Sequence, residues 1–258
     1  MKVAIITGAG SGIGLATAKA VSAMGFAVVG VGRDQGKLTA LEAAIGDPAK
    51  VATISADVTA EDAPDRIVAL AMERFGRIDA LVNNAGVGSP KPVHEATDAD
   101  FDGMIDIMLK APFRLIRSAL PHMGNGGSIV NVTSTFAHVG GRRGGAYSAA
   151  KGGLKSLTEH MACEYGPQGI RSNCVAPGVT MTDMVAHRFE DEVFKRNNVE
   201  TTPYPRLANP EDIAAVIAFL CGPGGEMVNG QSIVVDGGWN NTKYLSPRAT
   251  TTKWVEAD

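Results

Sequence analysis

Short apolar runs alternate along this chain with longer stretches that are rich in alanine and leucine. The short runs contain many β-branched residues and are nearly continuous in apolar character, as expected of strands that are covered on both faces. Strands that alternate with helices over the whole length indicate βαβ units, and therefore an α/β fold with a doubly wound parallel β-sheet and helices on both faces. The predicted strands are Val3–Thr7, Ala27–Val31, Val51–Ser55, Ala80–Asn83, Ser128–Thr133, Ser172–Ala176 and Ser232–Val235.

The longer stretches are predicted to form helices, and no repeat, linker or low-complexity tract interrupts the pattern. We therefore predict a single domain that covers residues 1–239. The predicted helices are Gly14–Met24, Lys37–Ile45, Asp62–Phe75, Asp98–Leu109, Pro112–His122, Ala149–Tyr165 and Pro210–Leu220.

Two segments depart from this rhythm. Residues 181–207 follow a predicted strand and carry charges of both signs. A long excursion at the carboxyl end of a strand is typical of a substrate lid, although a surface insertion would show the same pattern. Residues 240–258 form a polar, threonine-rich C-terminal extension, for which a frayed tail is the expectation.

The composition excludes several classes of function. The chain has 258 residues with 24 Lys+Arg and 27 Asp+Glu, which gives a formal net charge of −3 and no basic excess for binding nucleic acid. Three widely spaced cysteines disfavour a disulfide framework and a thiolate metal site, and we predict no metal. No apolar run reaches the roughly 18 residues of a membrane span. We expect a cytoplasmic protein with no nucleic-acid or membrane partner.

A glycine-rich turn follows the first predicted strand and reads TGAGSGIG over residues 7–14, which is the pattern T-G-x-x-x-G-x-G. Glycines let the backbone approach a pyrophosphate closely, and the N-terminus of the next helix offers unpaired N–H groups and the positive end of the helix dipole. A tight turn without a ligand would also use glycines. The position of this turn after the first strand of a doubly wound sheet favours a dinucleotide site.

The end of the second predicted strand bears on the choice between NAD and NADP. Asp34 lies about 20 residues after Gly14, where an acidic residue is expected to bind a ribose 2′-hydroxyl. The strand is followed by Gly32-Arg33, and a guanidinium at this place suits a 2′-phosphate. Asp34 can instead cap the helix that follows. These residues favour NADP(H) over NAD(H), with Asp34 as the alternative reader of the ribose.

Tyr147 and Lys151 open the longest predicted helix at a spacing that puts both on one face. A free phenol has a pKa of about 10, and a nearby ammonium favours its phenolate form. Ser134 follows a predicted strand and can hydrogen-bond a substrate carbonyl or hydroxyl. The spacing alone would also fit an ordinary surface pair of tyrosine and lysine.

Taken together, these motifs resemble those of the short-chain dehydrogenase/reductase family. NNAG at 83–86, Ser134, the Tyr147/Lys151 pair, PG at 177–178 and DGG at 236–238 follow the glycine loop in the order and at the distances found in that family. The resemblance covers residues 1–239. It implies a Rossmann fold with a seven-stranded parallel sheet, and NAD(P)-dependent hydride transfer that interconverts a secondary alcohol and a ketone.

The resemblance also implies roles for single residues. Tyr147 is the implied general acid/base, Ser134 orients the substrate, and Lys151 holds the nicotinamide ribose and lowers the tyrosine pKa. The implied cofactor-binding residues are Gly8, Ser11, Gly12, Ile13 and Gly14 at the pyrophosphate, Arg33, Asp57 and Val58 at the adenosine, Asn83, Ala85 and Gly86 along the cofactor, and Pro177, Gly178, Thr180 and Thr182 at the nicotinamide.

One position departs from the family's pattern. The helix after the NNAG motif usually carries an asparagine that anchors a water in the proton relay to the lysine, and here that position is Met108. A thioether is a poor hydrogen-bond acceptor and cannot hold a water as an amide does. We expect that another group or solvent completes the relay, or that turnover is slow.

Three further residues are candidates for substrate contact. His138 and Arg142 lie between Ser134 and Tyr147, and Met184 lies in the predicted lid. A histidine that hydrogen-bonds within the fold, or an exposed arginine, would explain the first two equally well.

Other functions remain open on the same fold. A redox-neutral isomerase, epimerase or lyase can use the cofactor transiently, and a protein that only senses NAD(P) would keep the binding site without turnover. The family that this chain resembles pairs through two helices, here Asp98–His122 and Ala149–Tyr165, so we also expect a homotetramer. Ala111, Leu115, Ala119, Gly153, Leu157 and Met161 are the residues expected at its interfaces.

Overall fold

One parallel sheet organises the chain in this computed structural model, which describes residues 1–88 and 91–244. The strands that it contains are β1 (Val3–Thr7), β2 (Ala27–Gly32), β3 (Val51–Ser55), β4 (Ile78–Asn83), β5 (Met123–Val132), β6 (Arg171–Pro177) and β7 (Ser232–Val235). They lie in the order β3-β2-β1-β4-β5-β6-β7, and all neighbours pair in parallel. The predicted doubly wound α/β fold with seven strands is confirmed.

The bounds of the strands agree closely with the sequence pattern, with one exception. The prediction starts β5 at Ser128, whereas the strand begins at Met123 and runs through a glycine-rich stretch. Met123 pairs with Ile78 before the register shifts, so backbone pairing extends the strand where no apolar run indicates one.

Nine α-helices occur in residues 1–88 and 91–244. They are α1 (Gly12–Ala23), α2 (Gln35–Ile45), α3 (Ala63–Phe75), α4 (Asp98–Ile105), α5 (Ala111–Ala119), α6 (Gly145–Tyr165), α7 (Asp183–Ala186), α8 (Glu192–Asn198) and α9 (Pro210–Cys221).

The helices bury both faces of the sheet, which is why the strands show no alternation of polar and apolar residues. On one face α1 and α9 contribute Val21 and Ile217 to a core cluster. On the other face α3, α5 and α6 contribute Ile67, Leu115 and Met161. None of the nine helices described above has the length and apolar character that a membrane span needs.

A π-helical turn, Asp106–Lys110, joins α4 to α5 where the sequence predicts an α-helix as far as Leu109. The N–H of Ala111 donates to the carbonyl of Asp106, one residue beyond the α-helical partner. Pro112 has no N–H and cannot donate to the Met108 carbonyl, so the α-helical ladder has a gap at this point. The turn therefore follows from the proline, and it carries Met108.

The residues that were expected at subunit interfaces lie mostly within the chain's own core. Ala111, Leu115, Ala119 and Met161 are buried because α3 and the neighbouring strands cover them. Those faces are therefore already covered within one chain, and the expectation about them is wrong. Aromatic side chains on the same helices, Phe101 on α4 and Phe113 on α5, are exposed instead.

Residues 181–207, here called the lid segment, leave the sheet after β6 and return at a single point. Thr180 and Ala208 form a parallel bridge at its neck, and the Met181 N–H donates to the Ala208 carbonyl at 2.8 Å. The lid segment contains α7 and α8. Of the predicted C-terminal extension 240–258, residues 245–258 lie outside the described residues.

Candidate active site

The glycine loop between β1 and α1 is shaped by close backbone contacts. A side chain on Gly14 would collide with the carbonyl oxygen of Gly8, and its Cβ would lie 2.7 Å from the Asn84 amide nitrogen. Only glycine fits at residue 14, because no room exists for any Cβ. Gly14 is thus packed tightly between Gly8, at the start of the glycine loop, and Asn84, in the loop that follows β4.

The N-terminus of α1 presents donors to the space above this loop. α1 begins at Gly12, and the N-cap Ser11 is extended and makes no side-chain capping bond. The N–H groups of the first turn have no acceptor within the helix, so they and the Ser11 hydroxyl suit the oxygens of a pyrophosphate. From the lid segment, the Thr182 methyl lies 3.1 Å from the place that a Cβ on Gly12 would take.

Hydrogen bonds of Thr7 fix the loop after β4 against the glycine loop. The Thr7 hydroxyl accepts from the N–H groups of Asn84 and Ala85, both at 3.0 Å. The Asn84 amide in turn donates to the Thr7 carbonyl at 2.9 Å. The NNAG motif therefore forms one border of the cofactor cleft, and Asn83 donates to Asn131 of β5 at 2.8 Å.

Two charged residues, Arg33 and Asp34, follow the end of β2, and the carboxylate of Asp34 is already engaged in a hydrogen bond. Asp34 is the N-cap of α2, and its carboxylate accepts from the Lys37 N–H at 3.1 Å. Arg33 is exposed and lies close enough to Asp57 to help lower the pKa of that carboxyl. The larger causes of this lowered pKa are the hydrogen bonds that Asp57 accepts from the backbone and hydroxyl of Thr59.

Tyr147 and Lys151 lie one turn apart near the start of α6. The Lys151 ammonium is 5.9 Å from the centre of the Tyr147 ring, and the Ser134 hydroxyl is near enough to the Tyr147 phenol to lower its pKa. Ser134 is buried at the start of the short helical turn after β5, and its hydroxyl accepts from the Phe136 N–H at 3.2 Å. The three residues that the sequence singles out for proton transfer therefore lie together.

Burial acts in opposite directions on the two ionisable groups. It raises the pKa of the Tyr147 phenol, which the hydrogen bond with Ser134 lowers in part. Burial lowers the pKa of the Lys151 ammonium to about 8. The ammonium donates to the Val132 carbonyl of β5 at 2.7 Å. With both groups in their protonated forms, the phenol can give a proton to a nearby oxygen and the ammonium can stabilise the phenolate that remains.

Met108 and the Lys151 ammonium both approach the backbone of Gly86. The place that a Cβ on Gly86 would take is 3.7 Å from the Met108 sulfur and 3.8 Å from Lys151 Nζ. Met108 is 1% exposed and packs with Met104 and Ala150. The Met108 thioether and the Lys151 ammonium therefore both border Gly86.

Of the three candidate substrate residues, His138 is directed elsewhere. Its Nε2 is 2.9 Å from the Ser232 hydroxyl of β7, and burial and the charge of Lys155 lower its pKa. The short helical turn after Ser134 carries the ring toward β7, so the expectation that His138 contacts substrate is not supported.

The other two candidates stay accessible. Arg142 is exposed on the loop before α6. Met184 is 53% exposed in the lid segment, and its sulfur lies 3.8 Å from the place of a Cβ on Gly88, in the loop after β4. The lid segment therefore reaches the border of the cofactor cleft at Met184 as well as at Thr182.

Two aromatic residues near Tyr147 escape the sequence analysis. The Phe136 ring stands edge-on to the Tyr147 ring with centroids 6.4 Å apart, and edge-on to the Trp239 ring at 6.1 Å. We call Tyr147, Phe136 and Trp239 the aromatic row. The position of Phe136, two residues after Ser134, is the signal that could have indicated it, whereas Trp239 is brought in by the fold alone.

Comparisons with known proteins agree with this geometry. The family profile described as enoyl-(acyl carrier protein) reductase matches residues 8–240. The chain is 39% identical to cis-4-hydroxycyclohexanecarboxylate dehydrogenase of Sinomonas cyclohexanicum, over 92% of this chain and 96% of the relative. It is 37% identical to the A-factor type γ-butyrolactone 1′-reductase (1S-forming) of Streptomyces virginiae, over 92% of this chain and 95% of the relative.

Solved structures show the same fold. A short-chain dehydrogenase/reductase from Brucella melitensis, named glucose/ribitol dehydrogenase, superposes with a TM-score of 0.87 at 39% identity, over 92% of this chain and 96% of that chain. The 3-ketoacyl-(acyl-carrier-protein) reductase of the same organism, in complex with NADH, superposes with a TM-score of 0.84 at 33% identity, over 93% and 98% of the two chains.

The packing of Met108 leads to a prediction about stability. Met104→Asn would bury an amide among apolar side chains and should lower the free energy of unfolding by about 1–3 kcal/mol. Met108→Asn should cost less, because Met108 borders Gly86 together with the Lys151 ammonium, which is a donor for the new amide oxygen. Chemical denaturation of both variants measures the difference. Equal losses would show that residue 108 only fills space.

Proposed function

The chain belongs to the short-chain dehydrogenase/reductase family, and on that premise we propose how its own residues carry out the reaction. It is an NAD(P)-dependent oxidoreductase that interconverts a secondary alcohol and a ketone. The relatives are named as dehydrogenases and reductases, so the redox-neutral and sensor alternatives lose their support. Bound NAD(P) supplies or accepts the hydride at the carbinol carbon.

Tyr147 is the proposed general acid/base. In ketone reduction its phenol gives its proton to the substrate oxygen, and in alcohol oxidation the phenolate takes that proton back. The raised pKa keeps the phenol protonated at neutral pH, which suits the reducing direction. The hydroxyl of Ser134 is proposed to orient the same substrate oxygen, and the observation that carries this assignment is that Ser134, Tyr147 and Lys151 lie together beyond the carboxyl end of β5.

Lys151 is proposed to stabilise the phenolate and to contact the nicotinamide ribose. Its ammonium already donates to the Val132 carbonyl, so its position is fixed before any ligand arrives. Because burial lowers its pKa to about 8, the ammonium is charged at neutral pH and loses its proton as the pH rises through that value. Its support for the phenolate is therefore present below pH 8 and fades above it.

The glycine loop, the NNAG border and Thr182 fit a dinucleotide. The loop leaves no room for a Cβ on Gly14, and the first turn of α1 presents free N–H groups to phosphate oxygens. We propose that Ser11, Gly12 and Ile13 hold the pyrophosphate while Asp57 and Val58 border the adenine. On the nicotinamide side the proposed contacts are Asn83, Ala85, Gly86, Pro177, Gly178 and Thr180.

NADP(H) is the proposed preferred cofactor. Asp34 already accepts from Lys37, which leaves it less free to bind a ribose hydroxyl. Arg33 is an exposed cation at the end of β2, and Lys37 lies in the first turn of α2. These charges suit a 2′-phosphate, although a related reductase has been solved with NADH.

The substrate is proposed to carry its alcohol or ketone on an apolar ring. The aromatic row offers ring edges next to the reacting oxygen, and such edges pack well against a flat apolar body. A relative that covers most of this chain is named for cis-4-hydroxycyclohexanecarboxylate. Arg142, exposed before α6, is the proposed partner for a carboxylate on such a substrate, and Met184 the proposed apolar contact from the lid segment.

The proposed assembly is a homotetramer in the cytoplasm. Phe101 and Phe113 are 45% and 47% exposed on α4 and α5, which favours burial against a second copy. All three cysteines are unpaired, as expected in a reducing compartment. Light scattering at micromolar concentration tests the assembly, and a monomeric mass would exclude it.

The role of Tyr147 leads to a direct test. Tyr147→Phe should lower kcat by about 100-fold or more, because the proton carrier is lost, and should leave the dissociation constant of the cofactor nearly unchanged. Tyr165→Phe, at the far end of α6, is the matched control. Steady-state rates and cofactor titration measure both. If Tyr147→Phe keeps most of its kcat, another group carries the proton.

The cofactor preference is tested at Arg33. Arg33→Ala should raise KM for NADPH about ten-fold or more and leave KM for NADH nearly unchanged, since a charge-assisted contact to phosphate is lost. Arg66→Ala removes a similar charge on α3, where Arg66 pairs with Asp62, and serves as control. A wild type that prefers NADH, or a variant that loses both cofactors equally, would contradict this assignment.

The substrate class is tested with a matched pair of alcohols. Cyclohexanol and 2-hexanol have the same number of carbons and both carry a secondary hydroxyl, so they differ mainly in the ring. We expect kcat/KM to be about ten-fold higher for the ring, a difference of about 1.4 kcal/mol in the transition state. Equal values, or a preference for 2-hexanol, would show that the pocket does not select a ring.

A further inference from the structure

Trp239 is held in a rigid turn that follows β7. The Asp236 carboxylate accepts from the N–H groups of Gly238 at 2.8 Å and Asn240 at 2.7 Å. Gly237 and Gly238 have φ values of 66° and 91°, which side chains rarely adopt. The direction in which the indole leaves this turn is therefore fixed by the backbone.

The same turn is packed against the end of the lid segment. The Tyr204 N–H donates to the Gly237 carbonyl at 3.1 Å, and a Cβ on Gly237 would lie 2.8 Å from the Thr202 methyl. The absence of a side chain at Gly237 thus lets the two backbones approach. Contact between the turn and the lid segment is therefore built into the chain just before Trp239.

The indole of Trp239 hydrogen-bonds to the C-terminal end of α8 and to Thr201 just after it, both within the lid segment. Its Nε1–H donates to the Thr201 hydroxyl at 2.9 Å and to the Asn197 carbonyl at 3.2 Å. The Thr201 hydroxyl also donates to the Asn197 carbonyl, at 2.8 Å. One N–H therefore ties residue 239 to the C-terminal end of α8.

The indole also contacts Phe136, which in turn contacts Tyr147, the proposed general acid/base. Trp239 stands edge-on to Phe136, and Phe136 stands edge-on to Tyr147. The backbone of Gly141 lies against the Phe136 ring, because a Cβ on Gly141 would be only 2.5 Å from the Cε1 atom of Phe136. Phe136 thus lies between Trp239, Tyr147 and Gly141, and a shift of Trp239 would be transmitted to the ring beside Tyr147.

We infer that Trp239 is a positioning residue that ties the lid segment to the aromatic row and thereby sets how the substrate lies against Tyr147. It touches neither the phosphate loop nor the residues proposed for the nicotinamide in any contact described above. Its influence should therefore fall on the substrate and not on the cofactor. The inference rests on the proposed function only in placing the substrate beside the aromatic row.

Two variants separate the hydrogen bond from the ring. Trp239→Phe keeps an aromatic ring next to Phe136 and removes the N–H, whereas Thr201→Val removes the nearer of its two acceptors and keeps the shape. Thr201→Ser keeps the hydroxyl and is the matched control. We expect KM for the substrate to rise about three- to ten-fold in the first two, as for the loss of one hydrogen bond. We expect kcat and the cofactor dissociation constant to stay within about two-fold, and Thr201→Ser to match the wild type.

A second measurement needs no substrate. Lys195 and Arg196 lie on α8, so trypsin cleavage there reports how firmly the lid segment is held. Cleavage in the presence of cofactor should be faster in Trp239→Phe and Thr201→Val than in Thr201→Ser. The increases in cleavage rate should be less than additive in the double variant, because the two residues share one of their hydrogen bonds.

Three results for Trp239→Phe and Thr201→Val would overturn the inference. The first is an unchanged rate of cleavage, and the second is faster cleavage with an unchanged KM for the substrate. The third is a loss of kcat, cofactor affinity and melting temperature alike, which would show a purely structural role. If Trp239→Phe does not fold, Thr201→Val carries the same comparison. If the wild type prefers straight-chain alcohols, the proposed substrate class fails, and the KM comparison on the preferred alcohol still decides the role of Trp239.

Discussion

The contact between the loops that leave β1 and β4 is the constraint on which the site depends. The Thr7 hydroxyl accepts two N–H groups of the second loop, and the Asn84 amide reaches back to the carbonyls of Thr7 and Gly8. Since the carboxyl ends of parallel strands meet at one edge, a ligand must enter there. The threonine and the glycines determine how wide that entrance is.

A series of buried hydrogen bonds connects this contact to α6, the helix that carries Tyr147 and Lys151. Asn83 donates to Asn131, Asn131 donates to Thr158 of α6, and Thr158 donates to the Leu154 carbonyl. These groups are inside the protein, where a lost partner costs more than at the surface. The chain of bonds therefore fixes α6, and with it Tyr147, relative to the cofactor border.

The sequence predicted those parts of the structure that depend on local chemistry. Strands followed from β-branched runs, the capping role of Asp34 followed from its place before a helix, and the proximity of Ser134 to Tyr147 followed from motif order. The features that the sequence did not predict depend on the direction in which a side chain points, or on contacts between residues that are distant along the chain. The turn after Ser134 sends His138 toward β7, and Trp239 meets Phe136 only once the whole sheet has formed. The π turn did have a local signal in the sequence, because Pro112 has no N–H to donate to the Met108 carbonyl.

That π turn has a consequence for how chains of this fold can diverge. A π turn corresponds to one extra residue in an α-helix, and each residue rotates a helix by about 100°. Loss of a single residue between α4 and α5 would remove the π turn and rotate everything before it, so a different side chain would border Gly86 and the Lys151 ammonium. The surroundings of Lys151 are therefore set by the length of the helix as much as by substitution, and one-residue insertions and deletions here would change them.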